Sequence, residues 1–229
     1  MTVTSSPGAA RTEPMADIRT LQRSEIDSAT AALAEAFLHD SMYRYFFGQT
    51  NGDIDPKQLR ALLDGLVSLG LAAADVYCGK DAAHGAAIVM PPGLIEFPTK
   101  RMASTIIARL SHTGFGYLRR VLPISAELNR KRPKEPHWYV LLIGVAPALQ
   151  GRGLGRRMMQ HILQRADAVA QPVYLETSTR SNLRFYEQLG FHVQEEFRCH
   201  AGKGPLTWSM LHTTVPARRG VTHDDSAGH

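Results

Sequence analysis

The sequence predicts an α+β fold in which a central mixed sheet is flanked by helices. Segments with the apolar pattern of strands alternate along the chain with segments of helical periodicity. The segment His137 to Val145 is almost continuously apolar, which is typical of a central strand covered on both faces. Apolar residues make up 44% of the chain, which is enough to build a core.

Length and composition favour one domain over residues 16–212. We expect a disordered leader over 1–15 and a disordered tail over 213–229. No apolar stretch reaches the ~20 residues that cross a bilayer, and the leader lacks the apolar segment of a secretory signal. The cysteines, Cys78 and Cys199, have no metal-ligand spacing, so we expect buried small side chains in a reducing cytoplasm and no metal site.

The N-terminal part is predicted to begin with a short strand around Ile18. A helix follows from about Ser24, a possible N-cap, to Phe37. Further predicted elements are a helix over 56–73, strands over 75–78 and 84–90, and two helices between 99 and 129.

The C-terminal part has the clearer pattern. Pro147 ends the central strand, and a glycine turn leads into a helix that reaches about Ala170. The remaining predicted elements are a strand over 172–178, a helix over 181–189, and a pair of strands over 191–197 and 206–211.

The glycine turn, residues 150–155 with the sequence Gln-Gly-Arg-Gly-Leu-Gly, follows a strand and opens a helix. The first amides of a helix have no intrahelical partner and carry the positive end of the helix dipole. Small side chains let a pyrophosphate approach these amides, and Arg152 and Arg156 add charge-assisted hydrogen bonds. A nucleotide P-loop would need Gly-Lys-Ser/Thr, and a dinucleotide fold would place the third glycine one position later. A plain strand-to-helix turn is the less favoured alternative.

The net charge of +5 fits the same interpretation. Basic residues cluster over 130–134 and in the tail at 218–219, without the basic stripe and interleaved aromatics of a nucleic-acid-binding surface. We therefore expect solvated charge, part of which meets a phosphate-bearing cofactor, and no nucleic-acid or membrane partner.

Two motifs together resemble the GNAT family of N-acetyltransferases. Gln150, Gly153 and Gly155 match its acetyl-CoA signature Arg/Gln-x-x-Gly-x-Gly/Ala, and residues 182–191 are similar to its N-x-x-F-Y-x-x-x-G-F motif. The resemblance implies a GNAT-like fold with a mostly antiparallel sheet and acetyl-CoA as co-substrate. It also implies that β-strand backbone near Gly144, where the strand splays at a bulge, holds the pantetheine arm. The cofactor-binding residues that we expect are Ile143, Gly144, Val145, Gln150, Gly151, Arg152, Gly153, Leu154, Gly155, Arg156, Asn182 and Tyr186.

The second motif supplies the candidate acid. Asn182 and Tyr186 are four residues apart and share a helix face, while Phe185 and Leu189 share the neighbouring face that suits the core. The resemblance places Asn182 near the cofactor and the Tyr186 hydroxyl near its sulfur, where a phenol can protonate the departing thiolate. The alternative is a tyrosine that packs at the edge of the core.

Glu176 is the candidate base. The strand around it alternates, so Tyr174, Glu176 and Ser178 share one face. A carboxylate within a buried strand needs a reason, because burying a charge is costly. An amine with a pKa of ~10.4 must lose a proton before it attacks. Glu176 could instead bind the ammonium or pair with an arginine. By resemblance, the Val145 amide donates to the oxygen of the thioester.

The acceptor implied by the resemblance is a small molecule with a primary amine. Residues 132–139, 144–147, 175–178 and 207–208 are similar to puromycin-acetylating members of the family, so a puromycin-like compound, another amine antibiotic or a metabolite is expected. A protein N-terminus or lysine, and a non-catalytic acetyl-CoA-binding module, stay open as alternatives, as do monomer and homodimer. The histidines at 84, 112, 137 and 161 are expected to be structural.

Overall fold

A seven-stranded sheet with helices on both faces forms the body of the computed structural model, which describes residues 17–49, 52–94 and 116–213. The spatial order is β1-β2-β3-β4-β5-β7-β6. The strands are β1 Ile18–Thr20, β2 Asp75–Gly79, β3 Gly85–Met90, β4 Trp138–Val145, β5 Val173–Thr177, β6 His192–Arg198 and β7 Leu206–His212. Every neighbouring pair is antiparallel except β4 and β5, which confirms the predicted mixed sheet.

The described helices lie close to the predicted positions, except the one over Ser41–Phe47, for which the sequence analysis predicts no helix. They are α1 Ile26–Phe37, α2 Ser41–Phe47, α3 Pro56–Ala73, α4 over residues 116–131, α5 Leu154–Ala168 and α6 Ser181–Glu187. The prediction for α3 is confirmed at both ends. Asp55 caps it by accepting from the Lys57 amide at 2.8 Å, and Pro56 occupies the first turn, where a missing N–H costs nothing.

The predicted start of α1 is wrong by two residues. A 3₁₀ turn over Arg23–Glu25 precedes the helix, so Ser24 lies inside this turn and is not the cap. The Glu25 carboxylate accepts from the Gln22 amide at 3.1 Å and pairs with Arg19 at 2.6 Å. These two bonds hold the turn ahead of the α-helix.

The sheet separates two apolar layers. Helices α1 and α3 cover one face, which includes Tyr174, and helices α5 and α6 cover the other, which includes Val173 and Leu175. This confirms the predicted alternation along β5. Both cysteines are fully buried, as expected. Among the described residues, no helix is long and apolar enough to span a membrane. The predicted leader, the tail beyond residue 213 and the first of the two helices between 99 and 129 lie outside the described residues.

Gly144 does not form the expected bulge. It pairs in register with Ala86, and the irregularity between β3 and β4 falls instead at Leu141, between the pairs Ile88–Leu142 and Val89–Val140. The reason for a glycine here is the close approach of α1. A Cβ on Gly144 would lie 2.9 Å from Phe37 Cε2 and 3.0 Å from a Leu33 methyl group.

We expect Gly144→Ala to lower the free energy of unfolding by about 1–3 kcal/mol, because an added methyl group in a packed layer forces neighbours to move. Urea denaturation measures this change. Gly155→Ala is the matched control, since its Cβ would meet Val145 and Phe185 only at 3.8 and 3.9 Å. Equal stability of the two variants would contradict this explanation of Gly144.

Candidate active site

The centre of the sheet opens between β4 and β5. These strands pair in parallel over only three positions, from Trp138–Val173 to Val140–Leu175. Beyond this point β4 continues to Val145 and β5 to Thr177 without further pairing between them. The strands therefore diverge as expected, and the β4 edge on this side is available to a ligand that carries amides.

A cavity of about 290 Å³ lies at this opening. Its walls come from helices α1 to α4 and α6, from β4, from the end of β5 and from Thr207 of β7. Of the predicted site residues, the structure brings Ile143, Glu176, Asn182 and Tyr186 to this cavity. The other predicted cofactor residues, Gly144, Val145 and the segment 150–156, do not line it.

The glycine turn has the geometry of an anion-binding loop. Gly151 and Gly153 have φ angles of +75° and +83°, in the left-handed region that side chains other than glycine rarely adopt. The first backbone bond of α5 runs from the Arg157 amide to the Gly153 carbonyl at 2.9 Å. The amides of residues 154–156 precede that bond and have no intrahelical acceptor, so they suit a phosphate.

Side-chain hydrogen bonds hold this loop in place. Gln150 donates to the Val145 carbonyl at 3.0 Å, which joins the loop to the end of β4. Arg156 donates to the Gln188 side chain at 2.8 Å, and Arg157 donates to the Arg152 carbonyl at 3.2 Å. Gln150 and Arg156 thus each have a protein partner, and the guanidinium of Arg156 keeps further N–H donors that a phosphate could use together with the backbone amides and Arg152.

Tyr186 is both packed and part of the cavity wall. Its side chain contacts the rings of Phe185 and Phe191 at centroid distances of 5.1 and 5.7 Å, and the residue is only 6% exposed. Burial, reinforced by the charge of Asp40, holds the pKa of the Tyr186 phenol well above its usual value. The phenol therefore keeps its proton at neutral pH.

Asn182 links α6 to β5. Its side chain donates to the Thr177 hydroxyl at 3.4 Å, and its amide donates to the Thr179 carbonyl at 2.9 Å. Asn182 and Tyr186 line one cavity, which agrees with the shared helix face.

Glu176 lies in the cavity wall with its side chain only 6% exposed. Its Oε1 atom is 3.7 Å from Arg132 Nε, and the Arg132 guanidinium lies 3.6 Å from the centre of the Tyr139 ring. Burial raises the pKa of the Glu176 carboxyl, while Arg132 and the phenols of Tyr139 and Tyr174 oppose this shift. The structure thus shows the arginine pairing considered above. Among the described residues, no donor forms a short hydrogen bond to the buried Glu176 Oε1 atom, so this atom can accept one from a ligand.

Asp40 is a cavity residue that sequence reasoning missed. It caps α2 by accepting from the amides of Met42 and Tyr43, at 2.9 and 3.2 Å. The Thr179 hydroxyl donates to it at 3.3 Å, and Ser41 donates to the Ser178 carbonyl at 3.0 Å. Burial raises the pKa of the Asp40 carboxyl. The signal available in the sequence was local: an Asp before a short aromatic run that ends at Gly48, whose φ is +74°.

The described histidines that the sequence analysis considered lie outside the cavity. Those at 84, 137 and 161 do not line the cavity, and His112 lies outside the described residues. His161 belongs to α5, and its ring packs against the ring of Tyr77 at a centroid distance of 4.7 Å. Across the described ranges, no group of three or more His, Cys, Asp or Glu side chains is placed to hold a metal ion.

Comparisons with known proteins agree with this geometry. Residues 112–191 match the family model described as Acetyltransferase (GNAT) family. An uncharacterized N-acetyltransferase of Schizosaccharomyces pombe is 25% identical over 183 residues, which cover 76% of this chain and 74% of that protein.

Solved structures share the fold. A Corynebacterium glutamicum structure described as histone acetyltransferase and related acetyltransferase has a TM-score of 0.65 at 20% identity, and covers 88% of this chain and 98% of its own. Arylalkylamine N-acetyltransferase 2 of Aedes aegypti and a polyamine N-acetyltransferase of Drosophila melanogaster have TM-scores of 0.58 and 0.57, at 15% and 13% identity. Each of these two covers 86% of this chain and 98% of its own.

Proposed function

We propose that this chain, an acetyl-CoA-dependent acetyltransferase of GNAT type, transfers acetyl to the primary amine of a small molecule by direct attack. The observation that carries the proposal is the cavity at the opening between β4 and β5. A protonated phenol, Tyr186, and a buried carboxylate, Glu176, line this one cavity.

The proposed reaction needs one proton acceptor and one proton donor. The amine nitrogen attacks the thioester carbon, the carbon–sulfur bond breaks, and the coenzyme leaves as a thiolate. Glu176 takes the proton that the amine loses, directly or through water, and Tyr186 protonates the sulfur. Neither Cys78 nor Cys199 lines the cavity, which favours direct attack over an acetylated thiol.

The residues present fit acetyl-CoA. The open edge of β4 from Ile143 to Val145 would pair with the amides of the pantetheine arm. The amides at the start of α5, with Arg152, would hold the pyrophosphate. Asn182 would contact the arm from α6, and the Val145 amide is the candidate donor to the developing oxyanion.

The size of the cavity favours a small acceptor over a polypeptide. Proteins of the same fold are described as arylalkylamine and polyamine acetyltransferases, and segments such as 132–139 resemble puromycin-acetylating enzymes. We therefore propose a puromycin-like compound or another amine antibiotic or metabolite as acceptor, in the cytoplasm, with the protein a monomer or homodimer. The Corynebacterium likeness keeps a protein or peptide acceptor as the second candidate.

Thiol release from acetyl-CoA tests the proposal. The panel contains aryl and alkyl amines, a polyamine, puromycin and a peptide with a free N-terminus. We expect release that depends on a small amine and exceeds release with the peptide. Faster release with the peptide would favour the second candidate. Acetyl-CoA binding without release would identify a non-catalytic module.

We expect Glu176→Gln to lower kcat about 10²-fold at neutral pH, because an amide cannot accept the proton. Since burial raises the pKa of Glu176, the wild-type carboxylate is lost as pH falls through that raised value, and activity falls with it. The variant should lack this acidic limb, and its deficit should shrink at alkaline pH, where more amine is already neutral.

Profiles of kcat against pH for both proteins make this comparison. Glu187→Gln is the matched control, because Glu187 is exposed at the end of α6 and does not line the cavity. If Glu176→Gln keeps the wild-type rate and acidic limb, the carboxylate only pairs with Arg132.

A further inference from the structure

The residues that line the cavity indicate which class of amine it accepts. Building on the proposed function, we infer that the acceptor is an arylalkylamine without a carboxylate: a primary amine joined by a short chain to an aromatic ring. Ring chemistry, charge and size each lead to this class.

A row of aromatic side chains forms one wall of the cavity. Phe37 contacts Tyr43 at a centroid distance of 5.3 Å, Tyr43 contacts Phe46 at 6.0 Å, and Phe46 contacts Tyr117 at 6.1 Å. All three pairs meet edge to face, and all four residues line the cavity. An aromatic ring on the acceptor would extend this row with the same favourable geometry.

The charges in the cavity select a cation and disfavour an anion. Asp40 and Glu176 both line it, and the only basic side chain in the described part of its lining is Arg132. Arg132 already faces Glu176 at 3.7 Å and the Tyr139 ring at 3.6 Å. Within the part of the chain that the structure describes, the buried Glu176 Oε1 atom accepts no short hydrogen bond, so it suits the acceptor's amine. A carboxylate on the acceptor would instead meet the carboxyl groups of Asp40 and Glu176 in a poorly solvated site where Arg132 already has Glu176 as its partner.

The size and the remaining wall exclude a long polyamine. A cavity of about 150 Å³ holds benzene, so the 290 Å³ here, which the acceptor would share with the acetyl end of the coenzyme, accommodates one ring and a short amine chain. Leucines of α3, at 62, 66 and 69, form part of the lining. A second ammonium directed at these side chains would lose its hydration without gaining a partner.

Matched amines test the inference through kcat/KM for acetyl transfer. We expect kcat/KM for 2-phenylethylamine to exceed that for phenylalanine, which adds only a carboxylate, by about 10²-fold or more. We expect a similar excess over putrescine, which replaces the ring by a second amine. We expect 2-cyclohexylethylamine to be weaker than 2-phenylethylamine by about three- to tenfold, because it fills the space without ring–ring geometry. If phenylalanine or putrescine is preferred, this inference is wrong and the proposed function stands.

Two neighbouring phenylalanines provide a matched pair of variants. Phe46 lines the cavity, whereas Phe47 packs on Tyr117 at 5.4 Å and does not. We expect Phe46→Leu to weaken the binding of 2-phenylethylamine about three- to tenfold more than it weakens the binding of propylamine. Phe47→Leu should change neither.

Calorimetry with coenzyme A in place of acetyl-CoA measures this binding without turnover. If no amine supports thiol release, the proposed function fails, and this binding experiment still decides whether the cavity prefers an arylalkylamine. Equal affinities for 2-phenylethylamine and phenylalanine would overturn the inference.

Discussion

Replacing Tyr186 by phenylalanine is expected to lower kcat about 10³-fold, because the variant cannot protonate the departing thiolate. The wild-type phenol keeps its proton, since burial holds its pKa well above the usual value. The phenylalanine ring preserves the contacts with Phe185 and Phe191, so affinity for acetyl-CoA and stability should change little.

Single-turnover thiol release and acetyl-CoA binding measured on the same preparation separate chemistry from binding. Tyr77→Phe is the matched control. Tyr77 is also buried, packs in the same apolar layer and donates its hydroxyl to Asp75 at 2.8 Å, yet it does not line the cavity. We expect this control to keep its kcat. Full activity of Tyr186→Phe would show that the tyrosine only packs at the edge of the core.

Replacing Gly153 by tryptophan is expected to weaken acetyl-CoA binding more than about 10²-fold, because charged hydrogen bonds from the loop amides contribute about 1.5–3 kcal/mol each. Gly153 has a φ of +83° directly before α5, and a Cβ would lie 3.1 Å from the Arg157 guanidinium. An indole at this position would block the approach of a pyrophosphate to the first amides of the helix.

The control must carry the same backbone strain. Gly202→Trp is this control, since Gly202, in the turn between β6 and β7, has a φ of +85° and no described residue lies within 4 Å of its Cβ position. Both variants should lose about 1–2 kcal/mol from the left-handed conformation, as urea denaturation would show. Only Gly153→Trp should lose binding in calorimetry. If neither variant loses acetyl-CoA binding, the loop is not part of the cofactor site.

The strand–turn–helix unit at 137–170 was predictable because its determinants are local. A continuous apolar run specifies a covered strand, glycines permit the positive φ angles at 151 and 153, and the apolar periodicity specifies α5. The shared face of Asn182 and Tyr186 follows from helical geometry in the same way.

Local sequence patterns do not reveal a constraint that a distant segment imposes. The sequence predicts a bulge at Gly144, but the position needs glycine because α1 approaches it closely through Phe37 and Leu33. The pairing of Glu176 with an arginine could be considered beforehand, but the identity of the partner as Arg132 could not.

The sequence by itself therefore determined the order of the elements, the mixed sheet and the glycine turn, since each depends on periodicity or on the conformational preference of single residues. The binding of phosphate at that turn and the roles of Tyr186 and Glu176 stay predictions. Only the tertiary structure decided what surrounds the acceptor. Asp40 reaches Thr179 across 139 positions in the chain, and Ser41 reaches Ser178 across 137. Through these bonds α2 carries Tyr43 and Phe46 to the cavity, and no local pattern encodes contacts between segments so far apart.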